Sequence, residues 1–89
     1  MPRYLFNVRT PHGLERDLEG TELPSLEAVR KEAFVASKRM IGAFLKSGMP
    51  LDQGLSRTFE IADEMGQVVL TLPFSEGAQA DLRKISIVP

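Results

Sequence analysis

The sequence predicts an α+β fold in which a small antiparallel sheet, with elements in the order ββαββ, is covered on one face by a single long helix. Residues 26–46 carry apolar side chains at helical spacing. Three other segments, residues 3–9, 57–63 and 68–72, alternate between apolar and polar side chains, which is typical of strands with one buried face. A chain of 89 residues is long enough for one such domain with a thin core.

The first strand is expected over residues 3–9 and is followed by a turn that ends at Gly13. A weaker second strand is expected to begin at Leu14, and residues 21–23 form a short extended piece that leads into the helix. Successive side chains of a strand point to opposite faces. The core-facing side of the first strand therefore consists of Tyr4, Phe6 and Val8.

The helix is expected to run from Leu26 to Lys46. Ser25 is the predicted N-cap, because its hydroxyl can accept a free backbone N–H of the first turn. Gly48 suits the position that follows a helix, and Pro50 prevents continuation. Residues 49–56 are then expected to form a loop. The apolar arc of this helix comprises Leu26, Val29, Ala33, Ser37, Met40, Ile41 and Phe44.

A hairpin is expected after the helix, because the last two alternating segments are separated by a turn that contains Gly66. Pro73 ends the second of these strands or marks it as an edge strand. The alternation places Val68, Leu70 and Leu72 on the same face. Together with the helix, the strands predict a core of Phe6, Val29, Ala33, Met40, Phe44, Phe59, Ile61, Leu70 and Leu72.

We expect one domain over residues 1–74 and a C-terminal extension over residues 75–89 that is strand-like or partly disordered. The extension ends in an apolar run whose candidate dimer contacts are Ile85, Ile87 and Val88. A strand end of this kind tends to pair with a sheet edge. We therefore expect it to fold back as a short strand or to pair with a second copy in a homodimer; a frayed terminus is the alternative.

The charge pattern argues against a dedicated nucleic-acid-binding protein, because the net charge is −1 and the pI is about 5.8. Residues 12–23 are mainly acidic, whereas residues 26–48 are mainly basic. The candidates for contact with nucleic acid or a partner are Lys31, Lys38, Arg39 and Lys46. Glu32 interrupts this basic face and no aromatic residue is interleaved as a stacking platform, so a solvated helix surface is favoured.

No group of residues predicts catalysis, a cofactor or a metal ion. The chain has no cysteine, and its single histidine, His12, has no evident partner for acid–base chemistry or zinc binding. A carboxylate pair could be drawn from the acidic residues, but no cleft is implied that would hold a substrate between them. The acids considered are Glu15, Asp17, Glu60 and Asp63. The glycine spacing does not form a phosphate-binding loop, and we expect no enzyme.

The expected location is the cytoplasm. No signal peptide is apparent at the N-terminus, and no apolar run approaches the roughly 18 residues that a membrane span requires. The absence of cysteine is compatible with a reducing compartment. We therefore expect no membrane association.

Several motifs occur in a characteristic order, beginning with Met1-Pro2-Arg3-Tyr4-x-Phe6-x-Val8-Arg9 and Asp17-x-Glu19-Gly20-x-Glu22-Leu23. They continue with Leu26-Glu27-Ala28 and end with the segment from Phe59 to Phe74. Over residues 1–74 the chain resembles a family of small bacterial domains of unknown function that is frequent in rhizobia and related alphaproteobacteria. This resemblance implies one small cytoplasmic domain, and it implies no established activity, cofactor or catalytic residue.

The chain also resembles HicB-type antitoxins, more weakly. In those proteins an antiparallel β-segment leads into a helix, and Leu26-Glu27-Ala28 and Gly48-Met49-Pro50 are similar to their pattern. The aromatic and Pro-Asp-Leu-Pro-Gly features expected before the helix are missing. This resemblance is an analogy of fold only.

The function hypotheses follow from the sheet. One helix covers only one face, so the second face must be polar or bind something, and Leu5, Val69 and Thr71 fall in its phase. The leading hypothesis is a non-enzymatic protein-interaction or regulatory module that forms a homodimer and has an unknown protein partner. The alternative is a weak nucleic-acid-binding or antitoxin-like regulator that uses the basic helix, and a small hydrolase ranks third.

Overall fold

The fold of the protein was obtained as a computed structural model, which describes residues 1–76 apart from the side chain of Leu51. It confirms the predicted α+β class. The elements in chain order are β1 (Arg3–Thr10), β2 (Gly13–Glu15), β3 (Thr21–Glu22), α1 (Leu26–Lys46), α2 (Leu51–Leu55), β4 (Thr58–Ala62) and β5 (Val68–Pro73). The predicted dimer contacts Ile85, Ile87 and Val88 lie outside the described residues.

The five strands form one sheet in the order β2-β1-β4-β5, and β3 pairs with the beginning of β1. All pairs are antiparallel. β1 and β4 are aligned with Phe6 opposite Ile61 and Val8 opposite Phe59. β4 and β5 are aligned with Phe59 opposite Leu72, so the aromatic and aliphatic side chains of three strands lie on one face.

Helix α1 has the predicted bounds, and both of its ends are capped. The hydroxyl of Ser25 accepts the N–H of Ala28 at 3.1 Å. At the other end Gly48 has a φ of 82°. The N–H of Gly48 donates to the carbonyl of Leu45 at 3.2 Å, and the N–H of Met49 donates to the carbonyl of Phe44 at 3.0 Å. This pair of bonds is the Schellman motif that glycine favours.

The core lies between α1 and the sheet. Its buried members are Tyr4, Val8, Val29, Ala33, Ile41, Phe59, Ile61, Leu72 and Phe74. Five members of the predicted core are among them: Val29, Ala33, Phe59, Ile61 and Leu72. The other four predicted members are only partly buried, although they pack against this core: Phe6, Met40, Phe44 and Leu70. Leu26 of the predicted apolar arc is exposed, because it lies in the first turn of the helix.

The predicted placement of Val68 and Val69 is wrong, and a β-bulge is the reason. Ile61 pairs with Leu70, whereas the next residue, Ala62, pairs with Val68. The extra residue in β5 reverses the alternation. As a result Val69 packs against the core and Val68 is exposed on the opposite face of the sheet.

The segment after α1 also differs from the prediction, which made it a loop. Residues 51–55 form the short helix α2 instead. Its Gly54 approaches Phe44 so closely that an added Cβ would lie 2.9 Å from the ring. The guanidinium of Arg57 lies 4.6 Å from the centroid of the same ring. Phe44 is therefore covered by α2 and Arg57 in addition to its packing against the core.

Candidate functional site

The face of the sheet that α1 does not cover is the candidate functional site, and we call it the open face. Every second residue of the strands points to it, because strand side chains alternate between faces. The pairing register brings Leu5 opposite Ala62 and Ala62 opposite Val68. The open face therefore has an apolar row across three strands.

A shallow depression of about 370 Å³ occupies this face. Its apolar lining consists of Leu5, Leu14, Leu18, Ala62 and Val68, and its polar lining includes Asn7, Arg16, Asp17 and Glu60. Leu18 stands at its border and is 90% exposed. A few polar groups around an apolar floor are typical of a binding surface.

Asp17 holds the loop between β2 and β3 against β1. Its Oδ2 accepts the backbone N–H of Phe6 at 3.0 Å, and its Oδ1 accepts the N–H groups of Glu19 and Gly20 at 3.2 and 3.1 Å. Its own N–H donates to Oδ1 of Asn7 at 2.9 Å. These bonds fix the residue that precedes Leu18, so the loop presents an exposed leucine from a defined backbone.

The position of Asp17 has a structural cause. β3 pairs with Tyr4 and β2 pairs with Val8, which leaves the N–H of Phe6 between the two short strands without a backbone partner. A buried N–H without a partner destabilises the fold, and the carboxylate supplies the missing acceptor. Partial burial works to raise the pKa of Asp17, but the three backbone N–H donors outweigh it, so that this pKa lies below its ordinary value.

Arg9 and Glu60 form a bidentate ion pair on the open face. Nε of Arg9 lies 2.8 Å from Oε2 of Glu60, and Nη2 lies 3.1 Å from Oε1. The hydrogen bonds from Arg9, together with its charge, lower the pKa of Glu60 below its ordinary value. The same contact raises the pKa of Arg9. The contact therefore favours the charged form of both groups.

The other acids considered for catalysis also have structural roles or exposed positions. Oδ1 of Asp63 accepts the N–H groups of Met65 and Gln67 at 2.9 and 3.0 Å and so shapes the β4–β5 turn. Glu15 is exposed on β2. His12 is exposed in the turn before β2, at the rim of a cavity of about 130 Å³. Among residues 1–76 no group of three or more potential ligands is placed to hold a metal ion.

The predicted basic residues lie on α1, on the other side of the sheet from the open face. Lys31 lies 3.9 Å from Glu27, and Arg39 lies 3.7 Å from Glu32, so both cations have an acidic neighbour. Lys46 is in the last turn of the helix, where a positive charge suits the helix dipole. Lys38 is partly buried and is also engaged in an interaction. The structure brings these residues onto one helix but assembles no unbroken basic surface.

A second depression, of about 320 Å³, lies between α1 and β1. Phe6 and Val8 form its sheet side, and Ala36, Arg39 and Met40 form its helix side. This depression separates α1 from β1. Among the strands, α1 packs most closely against β5.

Sequence reasoning identified Leu5 as an open-face residue but missed Leu14, Leu18 and Val68. Leu14 follows directly from the strand pairing, since it lies opposite Arg9. Leu18 carried no periodic signal, because it lies in a loop.

No helix within the described part of the chain is long and apolar enough to cross a membrane.

Comparison with known proteins identifies the family. No curated protein and no solved structure matches the chain. The model of the family described as "Domain of unknown function (DUF6894)" matches residues 3–75, and the chain therefore belongs to this family.

Proposed function

We propose that the protein is a non-enzymatic interaction module that binds a protein partner through the open face of its sheet. The observation that carries this proposal is an apolar depression with the buried Ala62 and the half-buried Leu5 at its floor and the exposed Val68 and Leu18 at its sides. Adjacent exposed apolar side chains with a polar border are typical of surfaces that bind another protein.

The polar border supports binding rather than catalysis. Asp17 and Glu60 both accept hydrogen bonds from donors of this chain, and the pKa of each lies below its ordinary value, which favours a fixed negative charge over the protonated form that a general acid needs. Arg16 lines the same depression and adds a positive charge to its rim. Because Asp17 and Glu60 line the same depression, its rim carries both signs of charge, and an apolar segment of a partner fits its floor.

The test compares Leu18→Asp, which changes the proposed contact surface, with the control variant Met65→Asp. Leu18 is 90% exposed at the border of the depression, and Met65 is 92% exposed at the tip of the β4–β5 turn, so both changes should leave the fold intact. Each tagged protein is used to capture partners from its native cells, and quantitative mass spectrometry compares the captured proteins. We expect Leu18→Asp to lose partners that wild type and Met65→Asp retain.

An identical set of captured proteins for all three chains would contradict the proposal. Thermal melts of both variants serve as the control for folding. A partner that is lost with Leu18→Asp and retained with Met65→Asp can then be titrated against the purified full-length protein. Direct binding, weakened by the same variant, would establish the open face as the contact surface.

The alternative, nucleic-acid binding by α1, ranks second in this proposal, because Lys31 and Arg39 have acidic neighbours. Such neighbours reduce the number of phosphates that the helix can neutralise. Fluorescence anisotropy with duplex DNA and single-stranded RNA tests this ranking at physiological salt. Submicromolar affinity that is reduced by Lys38→Glu would reverse it.

A further inference from the structure

The depression between α1 and β1 lies on the helix side of the sheet, and we call it the groove. Its volume is about 320 Å³. Sites for small molecules have volumes of roughly 300–1,000 Å³. The groove is at the lower end of this range, so it has room for a small metabolite and not for a nucleotide cofactor.

The floor and one wall of the groove are apolar. Phe6 and Phe59 meet edge to face with their ring centroids 5.9 Å apart, and Val8 lies opposite Phe59 in the strand register. Phe59 and Val8 are buried, and Phe6 is partly buried. Ala36 and Met40 form the wall that belongs to α1. A short apolar group placed in the groove would therefore contact apolar atoms of both the sheet and the helix.

Two opposite charges line the same groove. Glu32 and Arg39 are about two helical turns apart on α1, and Oε1 of Glu32 lies 3.7 Å from Nη2 of Arg39. This distance exceeds that of a hydrogen bond. The side chains of Arg39 and Glu32 are 69% and 42% exposed, so a ligand can reach both. The groove thus places a cation and an anion side by side at the border of an apolar floor.

We infer that the groove binds an α-amino acid with an apolar side chain, such as leucine. Arg39 donates to the carboxylate of the ligand, and the ammonium group of the ligand donates to Glu32. The apolar side chain enters the groove between Phe6 and Met40. The two charged groups of an α-amino acid are bonded to one carbon atom, so they are close together, as are the two groups of the protein.

Other small ligands match fewer of these features. A fatty acid would bring its carboxylate next to Glu32, and an alkylamine would bring its ammonium group next to Arg39. A polar metabolite such as a sugar would leave the apolar floor without a partner. The inference does not depend on the proposed function, because the groove and the open face lie on opposite sides of the sheet.

The first test is a titration of the full-length protein with L-leucine, followed by the NMR signal of the Met40 methyl group. We expect a dissociation constant of about 1 mM or below. Three matched ligands lack one feature each: 4-methylpentanoate has no ammonium group, 3-methylbutylamine has no carboxylate, and L-alanine has only a methyl side chain. Each should bind at least about threefold more weakly than leucine.

The second test assigns the two charges. In Arg39→Gln, leucine should lose its advantage over 3-methylbutylamine and keep its advantage over 4-methylpentanoate, because only the partner of the carboxylate is gone. Glu32→Gln should give the reverse result. Lys31→Gln is the matched control, since Lys31 lies 3.9 Å from Glu27 in a similar ion pair that does not line the groove. It should leave all affinities unchanged.

The third test fills the groove. Ala36 is only partly buried, so the larger side chain of Ala36→Leu can occupy the groove without disturbing the core. Binding of leucine should be lost while the thermal melt shows a folded protein. Leu18→Asp, on the open face, should bind leucine as wild type does, which separates this inference from the proposed function.

Three results would overturn the inference. Equal affinities for leucine and for the two analogues that lack a charged group would show that the groove does not recognise the charges. The absence of any change in the Met40 signal up to about 10 mM leucine would show that the groove does not bind an amino acid. Binding that is found only in Ile87→Asp would show that the chain's own C-terminal residues occupy the groove.

Discussion

The two faces of the sheet are formed by the same strands, yet they are stabilised by different interactions. On the covered face Phe59, Ile61 and Leu72 are buried against α1, and their contribution to stability is the removal of apolar surface from water. On the open face Arg9 and Glu60 form an ion pair, and Asp17 binds backbone N–H groups. The difference indicates that the covered face determines the fold and that the open face can change its apolar residues without loss of the fold.

The largest expected effect comes from Ile61→Ala on the covered face. Ile61 is fully buried, so the change leaves a cavity and should lower the free energy of unfolding by about 2–5 kcal/mol. Phe44→Ala should lower the free energy of unfolding by less than Ile61→Ala does, because Phe44 is only partly buried beneath α2. Denaturant melts measure both variants.

Val68→Ala is the matched control on the open face. Val68 is 50% exposed and lies one strand away from Ile61 in the same sheet. Its truncation should change the free energy of unfolding by at most about 0.5 kcal/mol. Equal losses for Ile61→Ala and Val68→Ala would show that the two faces contribute alike, and would contradict the comparison.

The next effect concerns a polar contact rather than a cavity. Asp17→Ala removes the acceptor of the Phe6 N–H and should lower the free energy of unfolding by about 1–3 kcal/mol. Glu19→Ala is the control, because Glu19 is an exposed acid in the same loop. Its truncation should cost at most about 0.5 kcal/mol. If both variants melt alike, the contact between Asp17 and β1 does not stabilise the loop.

The covered face was predictable from sequence because its signal is periodic. The alternation in β1 and β4 and the helical spacing of α1 each repeat over several residues, and the caps at Ser25 and Gly48 are local chemistry. Asp17 gave no such signal. Its role arises from the gap between β2 and β3, which exists only once both have paired with β1.

The bulge in β5 explains why the open face was predicted only in part. A single extra residue exchanged the faces of Val68 and Val69, and no residue type in Val68-Val69-Leu70 marks its position. Helix α2 was missed for a related reason, since the contact of Gly54 with Phe44 joins two segments and is not a property of either one. Pairing and packing between segments, which one-dimensional periodicity does not contain, determined these features.

The pH dependence of stability should distinguish the faces, because within residues 1–76 the two carboxylates with a lowered pKa both line the open face. Asp17 and Glu60 have folded-state pKa values below their ordinary values. A group of this kind stabilises the fold above its unfolded pKa, and the stabilisation is lost as the pH falls through the folded value. Stability should therefore decline as the pH falls below about 4.

Asp17→Asn isolates the contribution of Asp17 to this decline. An amide cannot titrate in this range, so the difference in unfolding free energy between wild type and the variant should narrow as the pH falls. Denaturant melts from neutral pH to about pH 3 measure the difference at each pH. A difference that stays constant with pH would show that the charge of Asp17 does not stabilise the fold.

The smallest expected effect tests the outer surface of α1, which belongs to neither face of the sheet. Gly42 lies inside the helix, one turn before its last residue Lys46, and a Cβ added there would meet no atom within 4 Å. Gly42→Ala should raise the free energy of unfolding by about 0.5–1 kcal/mol, because alanine loses less backbone entropy in a helix. The matched change Gly20→Ala should destabilise the fold, since Gly20 has a φ of +75° and an added Cβ would lie 3.0 Å from the carbonyl oxygen of Tyr4. Opposite signs in thermal melts are the expected outcome. Destabilisation by Gly42→Ala would mean that another part of the chain or a second copy packs on this surface, and would require the outer side of α1 to be treated as a contact surface like the open face.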